Sequence, residues 1–239
     1  MIVKSGSQDE AKEIKFNKLN TNLSSSNVQD AILEVNNKFN SSGWKDNVGV
    51  LQPNNYSSET SPLYMDIGNG TWMNCFSDIS NKSAFIDLHI NHDYKIGSKV
   101  YPHIHWIPLS TSTGTVKWDV EYIIAKGHQQ SEILTGALTK VSLTQNGKGL
   151  IGEHFIAEFN DSQAFTVPEP DTVVRMKITR DAESSIDTFY GLVAAFIVDI
   201  HYESDHNSTI GRLPNFDVIT GAKWWFLNIK HFQFLKKFN

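Results

Sequence analysis

The segment Tyr101-Pro102-His103-Ile104-His105-Trp106 carries the residue types with the widest chemical range in this chain. On an extended strand, side chains two apart share a face, so the His103 and His105 imidazoles stand side by side. The same spacing joins Asp87 to His89, Asp119 to Glu121 and Asp199 to His201. The residues between or beside them, Leu88, Ile104, Val120 and Ile200, fall on the opposite, apolar face. Strands of this kind laid together offer one dry face to a core and a second face set with histidine and carboxylate. The expected polar cluster is Asp87, His89, His103, His105, Asp199 and His201. Two chemistries fit it. Imidazole and carboxylate bind zinc, iron or manganese, with His89, His103, His105 and His201 as the ligand candidates. The same groups also hydrogen-bond across strands or across a subunit interface without an ion. That second use is the expectation, with no metal and no other cofactor.

Other motifs are weaker. The His-x-His strand resembles the metal strand of cupins only in part. Cupins place a glutamate about four residues after the second histidine, where this chain has Leu109. The string Gly147-Lys148-Gly149-Leu150-Ile151-Gly152 matches G-x-G-x-x-G, but a dinucleotide site needs a helix next. Here Glu153 to Phe159 alternates like a strand, so the glycines belong to a hairpin loop. Cys75, the single cysteine, excludes an internal disulfide framework or multi-cysteine cluster and reads as a small buried hydrophobe. Asp171, Asp181, Glu183 and Asp187 would serve glycoside cleavage only if two of them stood opposite each other. No nucleophile elbow, P-loop or His-Glu-x-x-His is present, and no catalytic set is expected.

The elements that must position these residues follow from periodicity. Val28, Ala31, Ile32, Val35 and Phe39 recur at helical spacing after Ser24-Ser25-Ser26-Asn27, which offers N-cap residues. A helix of about three turns is marginal alone, so its stripe needs a partner. From Trp44 onward the period is two. Val116, Trp118, Val120, Tyr122 and Ile124 share one face, as do Val174, Met176 and Ile178, and Phe196, Val198, Ile200 and Tyr202. Asn69-Gly70, Ser112-Thr113-Gly114, Asn146-Gly147 and Pro168-Glu169-Pro170 read as the turns between strands. The expected fold is all-β, an antiparallel β-sandwich of jelly-roll type. Residues 1–42 form an N-terminal arm with the short helix, 43–216 the sandwich, and 217–239 a basic aromatic tail. In that tail, Trp224, Trp225, Phe226, Phe232 and Phe234 are too many rings for a free segment to leave in water, so burial against self or a partner is expected.

Lys and Arg number 21 against 26 Asp and Glu, a net charge of −5, which argues against a nucleic-acid coat. No apolar run reaches the roughly 18 residues of a membrane helix. The start, Met1-Ile2-Val3-Lys4-Ser5-Gly6, turns polar at once, so synthesis in a cytoplasm without a secretion signal is expected.

Two stretches carry a resemblance. Asn27-Val28-Gln29-Asp30-Ala31-Ile32-Leu33-Glu34-Val35 resembles a helical segment common near the N-terminal parts of tailed-bacteriophage fibre and tail proteins. The order His92-Asp93-Tyr94, Tyr101 to Trp106, Val116-x-Trp118, Asp199-Ile200-His201-Tyr202 and Gly211-Arg212-Leu213-Pro214-Asn215-Phe216 is similar to a family of small phage virion proteins. The resemblance implies a β-rich, trimeric virion component without enzymatic activity: a fibre, neck, tail or capsid-decorating protein made in the host cytoplasm. Its partners would be two further copies of itself, other virion proteins and a host-surface glycan. The alternatives are a cupin-like metal-binding protein and a carbohydrate-binding sandwich displaying Trp44, Tyr56 or Tyr64.

Overall fold

The structure, a computed structural model, describes residues 14–19, 21–39, 43–53, 59–130 and 134–205. Helix α1 (Val28–Phe39) comes first. Strands β1 (Gly43–Gly49), β2 (Gln52–Pro53), β3 (Leu63–Asp66), β4 (Trp72–Phe76), β5 (Lys82–His89) and β6 (Lys99–Pro108) follow it. The remaining strands are β7 (Thr113–Ala125), β8 (Thr139–Lys148), β9 (Phe155–Glu158), β10 (Phe165–Thr166), β11 (Val173–Arg180) and β12 (Val193–Ser204).

They form two antiparallel sheets. In the five-stranded sheet the order is β2-β5-β11-β7-β8. In the seven-stranded sheet β6 and β12 are central. β9 and β10 flank β6, and β12 pairs with β4 through Val193–Ala195 and with β1 through Val198–Ser204. The expected alternation builds the core. Ile86, Leu88, Val116, Trp118, Val120, Val174, Met176 and Ile178 of one sheet meet Val100, Ile104, Trp106, Val198, Ile200 and Tyr202 of the other, in one apolar cluster. Trp118 sits edge-on to Phe76, with ring centroids 5.3 Å apart, and Trp106 stacks on Phe155 at 4.7 Å. This is an all-β sandwich preceded by a short helix.

Two local readings are corrected. Asn146-Gly147 and Gly114 do not make turns: Gly114 and Gly147 oppose each other at the paired ends of β7 and β8. A Cβ at Gly147 would lie 2.6 Å from the Phe189 ring, and one at Gly114 would lie 2.4 Å from the Thr188 carbonyl oxygen. These glycines make room for the segment that crosses them. The alternation of β12 also breaks. A register shift between Ala195 and Ile197 takes Phe196 off the core face, where Ala195 and Val198 remain. Asn69-Gly70 does form the β3–β4 turn, with both residues at positive φ (56° and 76°).

Ahead of the sandwich, Asn27 caps α1: its Oδ1 accepts the Asp30 amide at 2.8 Å. Ser24 and Ser25 instead donate to Glu34 from their amides and hydroxyls. The Ser25 hydroxyl above all holds the Glu34 carboxyl far below its usual range. Trp224, Trp225, Phe226, Phe232 and Phe234 lie outside the described residues, as do Tyr56 and segment 206–216. No helix among the described residues is long and apolar enough to cross a membrane.

Candidate functional site

The outer face of the seven-stranded sheet carries the densest chemistry. β6, β12, β1 and β9 run side by side there, and their register fixes which side chains meet. His103 on β6 opposes Asp199 on β12 and Glu158 on β9. His201 on β12 opposes Asp46 on β1. The His103 and His201 rings meet edge to face, with centroids 3.7 Å apart and planes at 70°. Asp199 Oδ1 lies 3.9 Å from His103 Nδ1 and 3.5 Å from His105 Nε2. Glu158 Oε1 is 3.6 Å from His103 Nε2. Asp46 Oδ1 contacts His201 Nε2. His105 Nδ1 and His154 Nε2 share a hydrogen bond at 2.9 Å, and Phe196, re-aimed by the register shift, packs against both rings.

These groups are dry for an outer face. His103 is 2% exposed and Asp199 4%. Burial, then the neighbouring His201, pushes the His103 imidazole below its ordinary value, against the pull of Asp199 and Glu158. Burial pushes the Asp199 carboxyl up, against the surrounding histidines. His103 Nε2 and Asp199 Oδ1 have no hydrogen-bond partner among the described residues. One donor atom each from His103, Asp199 and His201 lie within 4.8 Å of one another, so these are the residues placed to share a cation.

Sequence parity thus brings His103, His105, Asp199 and His201 together, but it misplaces Asp87 and His89. Both lie on β5 in the other sheet, so the four-histidine ligand set does not assemble. Asp87 holds Arg175 through two hydrogen bonds of 2.6 and 2.8 Å. His89 binds Asp171 at 2.7 Å, within a second cluster where His128 reaches the same carboxylate at 2.6 Å and His92 lies 3.4 Å away. Parity tells which side chains share a strand face and not which sheet the strand joins. Asp46, His154 and Glu158 were missed. His154, Ile156 and Glu158 alternate on one face of an expected strand, a usable signal, whereas in the β1 segment only Trp44 and Val48 are large and apolar, too few to announce Asp46.

Three of the acids considered for glycoside cleavage are each engaged by a partner, and Asp181 and Asp187 share Lys117. Asp181 pairs with Lys117 at 2.5 Å, Asp187 with Arg180 at 2.8 Å, and Glu183 with Asn81. Cys75 is buried beside Ile107 and Ala194, and burial pushes its thiol up to about 11.

Two further surfaces bear on association. Val28, Ala31, Ile32 and Val35 of α1, with Phe16 and Leu23 of the arm, line an apolar hollow of about 480 Å³. Ala31 is buried, while Ile32 is 47% and Val35 36% exposed. The Phe39 side chain lies outside the described part of the structure. On the sandwich, Tyr64 and Trp72 stand side by side with ring centroids 5.7 Å apart, both more than half exposed. They border a groove of about 560 Å³ that Met73, Asn74 and Phe196 also line.

Among known proteins, no family model and no curated sequence matches the chain. Among solved structures, it is similar to a chain in the structure of infectious bursal disease virus Gx strain at 8% identity and a TM-score of 0.31. That match covers 72% of this chain and 33% of the viral one, so the chain spans about a third of the viral chain's length. It is also similar to a non-crystalline cellulose specific carbohydrate-binding module, CBM28, at 8% identity and a TM-score of 0.29, covering 63% and 83% of the two chains. Both likenesses are distant, and neither bears on what this chain does.

Proposed function

We propose that this chain is a structural component of a tailed-bacteriophage particle, a fibre, neck, tail or capsid-decorating protein that assembles as a trimer through its N-terminal helix. The carrying observation is the α1 stripe: Ala31 is buried, but Ile32 and Val35 remain in water on a helix too short to persist alone. Three copies brought together by a symmetry axis would bury these residues against one another. The helical segment Asn27 to Val35 is also the stretch that resembles phage fibre and tail proteins. The reading assigns the protein to the virion and gives it no catalytic role. Light scattering on the purified full-length chain tests it. The expected mass is that of a trimer, falling to a monomer in Ile32→Asp/Val35→Asp with the β-sheet circular dichroism unchanged. A monomeric wild type, or a variant that stays trimeric, overturns it.

A host-surface glycan is the second partner this reading supports, because Tyr64 and Trp72 offer two adjacent ring faces of the kind that stack on sugars. Retention on immobilised bacterial surface polysaccharide should drop at least about tenfold in Trp72→Ala, the loss of roughly 1.4 kcal/mol. Equal retention removes the glycan from the proposal.

A further inference from the structure

We infer that His103, Asp199 and His201 form a binding site for a divalent transition-metal ion of the zinc class. Three observations carry it, all independent of the virion reading. The first is placement: two imidazoles and a carboxylate, drawn from neighbouring strands β6 and β12, bring one donor atom each to within 4.8 Å of one another. Bonds of roughly 2.0–2.2 Å to a tetrahedral ion set donors about 3.5 Å apart, so loading draws these side chains together by about an ångström.

The second observation is unmet polarity. His103 and Asp199 are nine-tenths or more buried, yet His103 Nε2 and Asp199 Oδ1 have no hydrogen-bond partner among the described residues. A buried polar atom without a partner is costly, and a cation held by Asp199 Oδ1 removes that cost at the carboxylate. The neighbours alone do not remove it: the carboxylate oxygen nearest His103 Nε2 is 3.6 Å away, and the ring nitrogen nearest Asp199 Oδ1 is 3.5 Å away.

The third is the surrounding shell. Asp46 holds His201 at Nε2, the carboxylate–histidine pairing that orients metal-ligating imidazoles. His105, whose Nε2 is 3.5 Å from Asp199 Oδ1, stands next along the same strand face as a fourth donor. It is itself oriented by His154 through the 2.9 Å hydrogen bond. Two nitrogens and one oxygen suit zinc better than calcium or magnesium, which take oxygen ligands. The ion would tie β6 to β12, the two central strands of the sheet.

The test is isothermal titration of the chelator-stripped full-length protein with zinc chloride in a non-coordinating buffer. The expected result is one ion per chain and a raised melting temperature. Asp199→Asn and His201→Ala should abolish saturable uptake, and Asp46→Asn, at an exposed position, should weaken it roughly 10- to 100-fold. His89→Ala, in the other cluster, should leave it unchanged. Cobalt loaded into the wild type gives a second readout that no variant's folding can confuse: intense visible bands of a low-coordinate site. Absence of zinc uptake, uptake unaltered in His201→Ala and Asp199→Asn, uptake lost only in His89→Ala, or a cobalt spectrum no different from the aqueous ion each overturns the site.

Discussion

At the scale of single residues, Asp171 is the clearest case of one side chain set by several others. It sits at φ 62°, a backbone region that aspartate and asparagine tolerate better than other non-glycine residues. The hydrogen bond from His128 first, and then that from His89, hold its carboxyl below the usual range despite the opposing effect of burial. A carboxyl depressed in the folded state stabilises the fold fully above its unfolded value, near 3.9, and loses that contribution as pH falls through the lower folded value. Wild type should therefore lose stability from about pH 4 downward. Asp171→Asn, which keeps the backbone geometry, should show a shallower acid-side slope in urea midpoints measured between pH 5 and pH 2. Equal slopes would mean that the three histidines do not act through this carboxylate. None of this was legible beforehand. Asp171 followed a proline-rich turn and carried no periodic signal, and His92 and His128 lie on loops.

Among the elements, the connection from β11 to β12 shows how a loop can be fixed from inside. Arg180, the last residue of β11, is fully buried with Asp187, and its guanidinium donates to both Asp187 oxygens and to the Phe189 and Gly191 carbonyls. One side chain thereby gathers four acceptors of the following segment and seats Phe189 over the paired glycines Gly114 and Gly147. Removing one partner of a buried, hydrogen-bonded ion pair costs about 3–5 kcal/mol, so Arg180→Ala should lower unfolding free energy by that amount in denaturant titration. A loss under about 1 kcal/mol, the worth of a surface ion pair, would show the pair to be solvated. Here sequence reading failed in an instructive direction. Asn146-Gly147 and Gly114 have turn chemistry, yet their glycines serve close approach by a remote ring, which only tertiary structure supplies. Strands with strict alternation, β7 and β11 above all, were plain, whereas β1 and β3, whose side chains are largely exposed, were silent.

For the molecule as a whole, fold class was legible because burial on both inner faces imposes a two-residue rhythm that few other architectures share. Assignment of strands to sheets was not legible, since it depends on connections between segments remote in the chain. That is why the expected histidine face divided into two clusters, His103, His105 and His201 on one sheet and His89 on the other. The remoteness has its own consequence. β1, the earliest described strand, is paired along its whole length with β12, the latest, from Gly43↔Ser204 to Gly49↔Val198. During translation β1 therefore leaves the ribosome with its backbone edge unmatched and waits for nearly the entire sandwich to be synthesised. Its exposed Trp44 and Val48 accompany an open strand edge, a combination that invites intermolecular pairing. Folding of such non-local topology falls in the range of about milliseconds to seconds. Arrival of β12 is the step that closes the sheet, and it also brings Asp199 and His201 to His103, so the polar cluster is among the last features of the molecule to exist.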